Sequence, residues 1–346
     1  MSKFIAGLIL ILSINFFMYF YVILRIASYF NVKNKVFLSI LAFIISIMII
    51  PATIFIGKNN NLWTQLFYKI SGIFMGVFFI TFVCLVLSRV LGLVSKVPSR
   101  NIEIAAFGVA SVLIIYSVQN ARNISVESVK VDDFGEKIKI VQISDLHLSS
   151  ESSNRLPEII GKINSMNPDI VLITGDIVSQ DTPITGKTFQ SLKDLNAKSY
   201  FVTGNHEYYI DQNKICKIIE NSGVKVLRNE VDVFMGVQIA GLEYHSDKNI
   251  SHAILEGLNF SNDKPVLLMN HLPFDHGDER IKLTVSGHTH YGQIVPFNLL
   301  VRLTTKYTKG LYKLEKGYLY VSPGTGTWGP PMRLGSKNEI TLYDLR

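Results

Sequence analysis

Near the middle of the chain, the residues from Lys137 to His147 read KIKIVQISDLH. A run rich in Ile and Val predicts a short, buried β-strand over Lys137–Ile143. Two polar residues, Asp145 and His147, follow directly where this strand ends. Ligands of α/β folds bind at the carboxyl ends of strands, so both side chains are candidate functional residues.

The same arrangement recurs at four other predicted strands. These are Ile170–Thr174, Tyr200–Thr203, Val266–Asn270 and Leu283–Ser286. They run into polar turns that read Gly175-Asp176, Gly204-Asn205-His206-Glu207, His271-Leu272-Pro273 and Gly287-His288-Thr289-His290. Each turn alone is a weak signal, because Asp-x-His triplets, Gly-Asp turns and single strand-end histidines are common without a metal. Together, each after an apolar strand, they predict one shared site.

The side chains in these turns form a donor set for divalent metal ions. Carboxylate, amide and imidazole groups without a thiolate suit Mn, Fe, Zn or similar ions, and not copper(I) or iron–sulfur clusters. The set is too large for one ion with an open position, and it suits two ions that share a bridging carboxylate. The candidate metal ligands are Asp145, His147, Asp176, Asn205, His271, His288 and His290.

Around these strands, the second two-thirds of the chain alternates β-rich runs with polar helical stretches. Early βαβ alternation followed by consecutive strands predicts one α/β domain over residues 121–346, with sheets packed between helices. Helices are predicted near Arg155–Asn164, Lys187–Leu195 and Gln212–Asn221. Further strands are predicted at Ser125–Val131, Val224–Leu227, Val237–Gly241, Tyr318–Ser322 and Ile340–Leu345.

The first third of the chain contains long apolar runs without ionisable residues, at about 4–24, 36–56, 70–88 and 104–118. A helix needs about 20 residues to cross about 30 Å of hydrocarbon, and only the fourth run is shorter. Helices of a soluble protein would keep a polar stripe, which these runs lack. A cleaved signal peptide would need a small-x-small site before Arg25, which the first run lacks. We therefore predict an all-α membrane region over residues 1–120 with four transmembrane helices.

The net positive charge of the chain comes entirely from this membrane region. Residues 1–120 contain nine Lys or Arg residues and one acidic residue, whereas the rest contains 25 basic and 26 acidic residues. A nucleic-acid partner is not expected, because the polar domain has no excess positive charge for phosphates. No protein partner is predicted either. Two cysteines, Cys84 and Cys216, exclude a disulfide framework and a Cys-based zinc site.

The five turns together resemble the signature of the calcineurin-like metallophosphoesterases, and the resemblance covers essentially all of residues 137–346. Three stretches are similar to a bacterial branch of membrane-associated phosphodiesterases, namely Ser144-Asp145-Leu146-His147, Tyr291-Gly292-Gln293 and the tail from Gly324-Thr325-Gly326 to Asn338-Glu339-Ile340. The chain departs from that branch at Tyr291, where we expect glycine, and at Asn338, where we expect proline.

The resemblance implies a four-layer α/β/β/α sandwich that holds two divalent metal ions. One ion would be held by Asp145, His147, Asp176 and His290, and the other by Asp176, Asn205, His271 and His288, with Asp176 bridging. It also implies a metal-dependent phosphoric ester hydrolase, in which metal-activated hydroxide attacks phosphorus. His206 would stabilise the leaving group as a general acid or hydrogen-bond donor, or else brace Asn205.

Arg333 and Tyr291 are candidate substrate contacts. The branch resemblance favours a phosphodiesterase over a phosphatase, and a membrane anchor makes lipid-linked or nucleotide-linked phosphoesters natural substrates. The alternatives are a phosphomonoesterase with the same site, or a non-catalytic scaffold or sensor. A scaffold is disfavoured because the chain keeps all seven candidate ligands and His206. The uncharged spans predict anchoring rather than ion transport.

The loop charges predict the topology. The first connection carries Arg25, Lys33 and Lys35, and the third carries Arg89, Lys96 and Arg100. Loops rich in Lys and Arg stay in the cytoplasm, so with four spans the catalytic domain is predicted to be extracytoplasmic. A reporter enzyme fused after Arg346 should be active only outside the cytoplasm, and cytoplasmic reporter activity would reverse this orientation.

Overall fold

The structure is a computed structural model that describes residues 2–132, 134–149 and 152–346. It divides into two compact units. The helical unit comprises Met1–Asn120 and Gly329–Leu334, and the α/β unit comprises Ala121–Trp328 and Gly335–Arg346. The division after Asn120 lies where the composition changes, whereas the sequence analysis assigned Gly329–Leu334 to the enzyme domain.

The helical unit contains apolar helices that are long enough to cross a membrane. The candidate spans among the described residues number four, which agrees with the predicted count. One span is divided at Met48, because Pro51 has no N–H to bond the carbonyl of Ile47. The helices are α1 (Ser2–Tyr29), α2 (Lys35–Ile47), α3 (Ile49–Lys58), α4 (Leu62–Val94) and α5 (Ser99–Asn120).

Ion pairs to one buried carboxylate connect three of these helices. Glu103 of α5 lies just outside the predicted apolar run, and its side chain is 4% exposed. Its carboxylate accepts a hydrogen bond of 2.8 Å from Nε of Arg25 in α1. Nη2 of Arg89 in α4 lies 3.6 Å from the same carboxylate. A buried charge is costly without partners, so these contacts explain how Glu103 is accommodated.

The segment Gly329–Leu334 packs against α4 and α5. A Cβ atom on Gly76 would lie 2.6 Å from Sδ of Met332, so the segment fits only because this position of α4 has no side chain. The backbone N–H of Arg333 donates to the Ser117 carbonyl at 2.9 Å. Nδ2 of Asn120 donates to the Arg333 carbonyl at 3.0 Å.

The α/β unit contains two six-stranded mixed sheets. The strand order is β1-β12-β2-β3-β4-β5 in the first sheet and β10-β11-β9-β8-β7-β6 in the second. The strands are β1 (Ile124–Val131), β2 (Ile138–Ile143), β3 (Ile170–Thr174), β4 (Lys198–Val202), β5 (Lys225–Val226), β6 (Glu230–Phe234), β7 (Val237–Gly241), β8 (Val266–Met269), β9 (Ile281–Ser286), β10 (Gly310–Lys313), β11 (Tyr318–Val321) and β12 (Asn338–Leu345). The helices are α6 (Leu156–Ser165), α7 (Asn205–Ile210), α8 (Gln212–Glu220), α9 (Lys248–Glu256) and α10 (Phe297–Thr304).

Three hydrophobic clusters define the layers of this unit. The central cluster joins the two sheets, with Leu172 and Tyr200 of the first sheet packed with Leu267 and Val285 of the second. A second cluster packs α6 and α8 on the outer face of the first sheet. A third packs Leu255 of α9 on the outer face of the second. The predicted four-layer α/β/β/α sandwich is therefore confirmed.

Some elements differ from the sequence prediction. The predicted helix Lys187–Leu195 is only a short 3-10 turn over Gln190–Asp194. The strands β6 and β10 and the helices α7, α9 and α10 were not predicted. The two strands are the outer strands on opposite sides of the second sheet, where fewer side chains are buried and the alternation signal is weak.

Candidate metal centre

The candidate ligands follow parallel strands that are neighbours in their sheets. In the first sheet β2, β3 and β4 pair in parallel, so Asp145, Asp176 and Asn205 emerge at one edge. In the second sheet β8 and β9 pair in parallel, so His271 and His288 emerge together. The two edges face each other, because the backbone N–H of His288 donates to Asp145 at 3.0 Å.

The first group of candidate ligands comprises Asp145, His147 and His290, all buried. Nε2 of His147 lies 3.0 Å from Nε2 of His290. Nε2 of His290 lies 3.5 Å from Oδ1 of Asp145. Three donor atoms from two sheets therefore converge on one point.

The second group comprises Asp176, His271 and His288, and Asn205 completes it. Nε2 of His271 lies 3.3 Å from Oδ2 of Asp176 and 3.3 Å from Oδ1 of Asn205. Nδ1 of His288 lies 2.9 Å from the same Asn205 oxygen. These four side chains are the set that the resemblance implies for a single ion.

Asp176 lies between the two groups. Its Oδ2 atom is 3.3 Å from Nε2 of His271 on one side and 3.8 Å from Nε2 of His147 on the other. Its other oxygen, Oδ1, accepts a hydrogen bond of 2.8 Å from the backbone N–H of His206. This bond orients the carboxylate so that one oxygen faces both groups.

The chemistry of this donor set fits divalent cations. In each group, imidazole nitrogens and carboxylate oxygens lie within 4.8 Å of one another, and the Asn205 amide oxygen lies 3.3 Å from Nε2 of His271. These atoms are mostly acceptors, and buried acceptors repel one another unless a proton or a cation lies between them. Nitrogen and oxygen donors of this kind bind Mn, Fe, Zn and similar ions.

A backbone hydrogen bond orients the candidate ligand His271. Its Nδ1–H donates to the Thr174 carbonyl at 2.8 Å, which leaves Nε2 directed at Asp176. Burial alone would lower the pKa of His271, but the Asp176 carboxylate raises that pKa to about 10. Burial alone would raise the pKa of Asp176, but the adjacent imidazoles hold it well below its usual range. Without a metal ion, the proton on the His271 ring therefore supplies the positive charge that balances the Asp176 carboxylate.

Glu207 braces the loops that carry the ligands. Its buried carboxylate accepts hydrogen bonds from the backbone N–H groups of Asp176, Ile177 and Val178, and from that of Gly204. It thus connects the turn after β3 to the turn after β4. From the sequence, Glu207 is expected to orient its turn or a ligand rather than to react, and this bonding agrees with a positioning role.

The ligand loops adopt strained backbone conformations. Asp145, His147, Asp176, His288 and His290 all have positive φ, between 43° and 72°. Such conformations cost about 1–3 kcal/mol each for residues other than glycine, and they persist where surrounding contacts enforce them. Close approach adds a further constraint, because a Cβ atom on Gly287 would lie 2.2 Å from Oδ2 of Asp145.

His206 lies beside the two groups. Its ring meets that of His147 edge-on, with 4.6 Å between ring centroids. One of its ring nitrogens lies within 4.8 Å of donor atoms of His147 and Asp176. Its Nδ1 atom is buried, with no hydrogen-bond partner among the described residues. Besides leaving-group stabilisation and bracing of Asn205, the geometry thus adds a third interpretation of His206, as a further metal ligand.

The two predicted substrate contacts lie in different units. Tyr291 directly follows His290 in the α/β unit, and Arg302 donates a hydrogen bond to its hydroxyl group. Arg333 belongs to the helical unit, and its side chain is fully buried. The role of either residue in substrate binding stays a prediction.

Comparison with known proteins establishes the family. The sequence model for calcineurin-like phosphoesterases matches residues 138–292. An uncharacterized metallophosphoesterase of Campylobacter jejuni is 31% identical, with 90% of this chain and 91% of that protein aligned. The chain therefore belongs to the calcineurin-like metallophosphoesterase family, whose members are metal-dependent phosphoester hydrolases.

Another relative combines the same domain with membrane spans. A transmembrane protein with metallophosphoesterase domain from Danio rerio is 28% identical over 84% of this chain and 76% of its own length. Among solved structures, a dimetal phosphatase from Danio rerio aligns with a TM-score of 0.34 and 11% identity, covering 55% of this chain and 88% of that one. The apolar helices and the transmembrane relative make this chain a membrane protein, whereas the structural alignment is too distant to indicate a substrate.

Binding of Mn²⁺ to the metal-free protein should release protons at neutral pH. The pKa of about 10 keeps His271 protonated there, whereas the pKa of Asp145, raised to about 6 by burial, leaves that carboxyl group mostly ionised. The ion must displace the His271 proton, because metal ligands bind in their deprotonated form. Calorimetry in buffers of different ionisation enthalpy counts the released protons. His271→Ala should release fewer, and wild-type binding without proton release would contradict this account.

Proposed function

We propose that the protein is a membrane-anchored phosphodiesterase with two divalent metal ions that share Asp176. The observation that carries this proposal is the position of Asp176 Oδ2, which faces His271 at 3.3 Å and His147 at 3.8 Å. One carboxylate between two sets of nitrogen and oxygen donors is the arrangement that a pair of ions about 3.5–4 Å apart requires.

The proposed ligand sets are those that the family resemblance implies. Asp145, His147, Asp176 and His290 would hold one ion, and Asp176, Asn205, His271 and His288 would hold the other. When bound, the ions supply Lewis-acid stabilisation of the phosphoryl oxygens and lower the pKa of the attacking water. The chain contributes position, because Glu207 and the strained turns hold the donor atoms in place before substrate arrives.

His206 is proposed to stabilise the leaving group. Burial lowers the pKa of its ring, so the ring is neutral at neutral pH and donates a hydrogen bond from one nitrogen. A donor beside the ions can stabilise the charge that develops on the departing oxygen, a contribution of about 10²–10⁴-fold. The backbone N–H of His206 donates a hydrogen bond to Oδ1 of Asp176, and this bond fixes the position of His206.

Exposed aromatic side chains beside the centre support a diester over a monoester. We call Trp328, Tyr208 and Tyr209 the aromatic rim; they are 51%, 61% and 61% exposed. The rings of Trp328 and Tyr209 lie 6.3 Å and 6.4 Å from the ring of His206. A diester carries a second organic group on phosphorus, and aromatic faces bind such a group through apolar contact. Lipid-linked and nucleotide-linked phosphoesters both offer one.

The helical unit is proposed to anchor the site at the membrane, with the catalytic domain outside the cytoplasm. Four cations at the first and third connections, Lys33, Lys35, Lys96 and Arg100, support this orientation, whereas Arg25 and Arg89 lie within α1 and α4 and pair with Glu103. A phosphomonoesterase would use the same metal centre, and the rim is the feature that argues against it. A non-catalytic scaffold would have no need for strained backbone at five candidate ligands.

Two substitutions separate the roles of Asp176 and His206. Asp176→Asn should lower both activity and metal content, because neither ion keeps a full ligand set. His206→Gln should keep the metal content and lower kcat about 10²–10⁴-fold. The measurement is metal analysis beside the hydrolysis rate of the Mn²⁺-loaded, full-length protein in detergent. Loss of an ion from His206→Gln would instead make His206 a ligand.

The preference for diesters is tested with a chromogenic phosphodiester and the matching monoester. The Mn²⁺-loaded protein should favour the diester, and Trp328→Ala should raise KM for the diester while changing KM for the monoester little. Tyr318→Phe, which is outside the rim, is the matched aromatic control. A higher kcat/KM for the monoester would make the protein a phosphatase, and no turnover by folded, metal-loaded protein would favour the scaffold.

A further inference from the structure

The helix α10, Phe297–Thr304, presents apolar side chains to the outside of the α/β unit. Leu299, Leu300 and Leu303 are 56%, 52% and 83% exposed. Residues three and four apart share a helix face, so these three leucines form one outward patch. All eight residues of α10 are described, and none of them is buried.

This orientation is the reverse of that in an ordinary surface helix. A helix at the surface of a soluble domain buries its apolar stripe and exposes its polar face. In α10 the half-buried positions are Asn298 and Val301, and the leucines face away from them. A contiguous apolar patch that remains exposed marks a site of interaction.

The chain around α10 is uniformly basic. From His290 to Leu314 it contains Arg302, Lys306, Lys309 and Lys313 and no acidic residue. Three of these cations, Arg302, Lys306 and Lys309, line a cavity of about 400 Å³ together with Tyr291 and Tyr312. The Arg302 guanidinium lies over the Tyr291 ring, 5.1 Å from its centroid. A basic cavity beside an apolar patch suits anionic phosphate groups at the surface of an apolar phase.

We propose that α10 binds the surface of a lipid bilayer. The leucine patch inserts below the headgroups, and Arg302, Lys306 and Lys309 contact the phosphates of anionic lipids. An amphipathic helix with leucines on one side and cations beside them is typical of interfacial membrane binding. A bilayer is the partner favoured here, because the helices α1–α5 make this chain a membrane protein and the charge of the cavity is complementary to anionic headgroups.

This contact would link the membrane surface to the metal centre. The Tyr291 hydroxyl group accepts a hydrogen bond from Arg302 of α10, and Tyr291 directly follows the candidate ligand His290. Asn298 of α10 packs on Gly292, where a Cβ atom would lie only 2.5 Å from the Asn298 Cα. A phosphoester in the headgroup layer would therefore be within a short distance of the site. The membrane contact itself does not depend on the proposed activity.

The test measures the depth of α10 in a bilayer. Leu303→Cys is labelled with an environment-sensitive fluorophore in the full-length protein, reconstituted into vesicles that contain phosphatidylglycerol. Both native cysteines are buried, so the label is selective. The matched control is Ile250→Cys, an exposed apolar position on α9 of the same unit. Lipids brominated near the headgroup should quench the label at position 303 severalfold more than the label at position 250, because interfacial helices lie about 5–10 Å into the headgroup and acyl boundary.

Further measurements decide what covers the leucine patch of α10. Replacing phosphatidylglycerol with phosphatidylcholine, or introducing Lys306→Gln, should weaken the quenching at position 303. Equal quenching at positions 303 and 250 would overturn the proposal. Shielding of the 303 label from aqueous iodide without quenching by brominated lipid would also overturn it, since a protein surface or a second copy of the chain would then cover the leucines.

Discussion

The metal centre depends on one electrostatic constraint, which is that buried acceptor atoms converge on Asp176. Its Oδ2 lies 3.3 Å from Nε2 of His271, while the ring nitrogens of His147 and His290 are 3.0 Å apart. Such an arrangement is unstable without positive charge, and the Asp176 carboxylate, which raises the pKa of His271 to about 10, favours a proton on His271 in that role. The Glu207 hydrogen bonds hold the acceptors together against this repulsion, and the missing side chain at Gly287 leaves room for the Asp145 carboxylate.

Most of the fold, and all of the strand ends that carry candidate ligands, could be predicted from local pattern. The strand β3 has the predicted bounds because a fully buried strand is a nearly continuous apolar run, and β7 has its predicted bounds although Gln238 interrupts its apolar run. The outer strands β6 and β10 lack that signal, since several of their residues are exposed. The helix α10 was not predicted because its eight residues make only about two turns, which is shorter than the window over which a helical period can be recognised.

Features that depend on tertiary contacts could not be predicted. An orienting role for Glu207 is expected from its place in the turn after β4, but its partners are not, because only the fold brings four backbone N–H groups to its carboxylate. The motif that contains Arg333, a predicted substrate contact, does not indicate that this segment belongs to the helical unit. The one local sign of that docking is Gly76 in α4, where the missing side chain leaves space for Met332. Close approach of this kind is visible only after the fold is known.

The central claim is that two ions share Asp176, and the most direct measurement is anomalous diffraction from crystals of the Mn²⁺-loaded protein. The account predicts two anomalous peaks about 3.5–4 Å apart, one on each side of the Asp176 carboxylate. The peaks should lie beside Asp145, His147 and His290 on one side and beside Asn205, His271 and His288 on the other. A single peak, or two peaks that do not share Asp176, would contradict it.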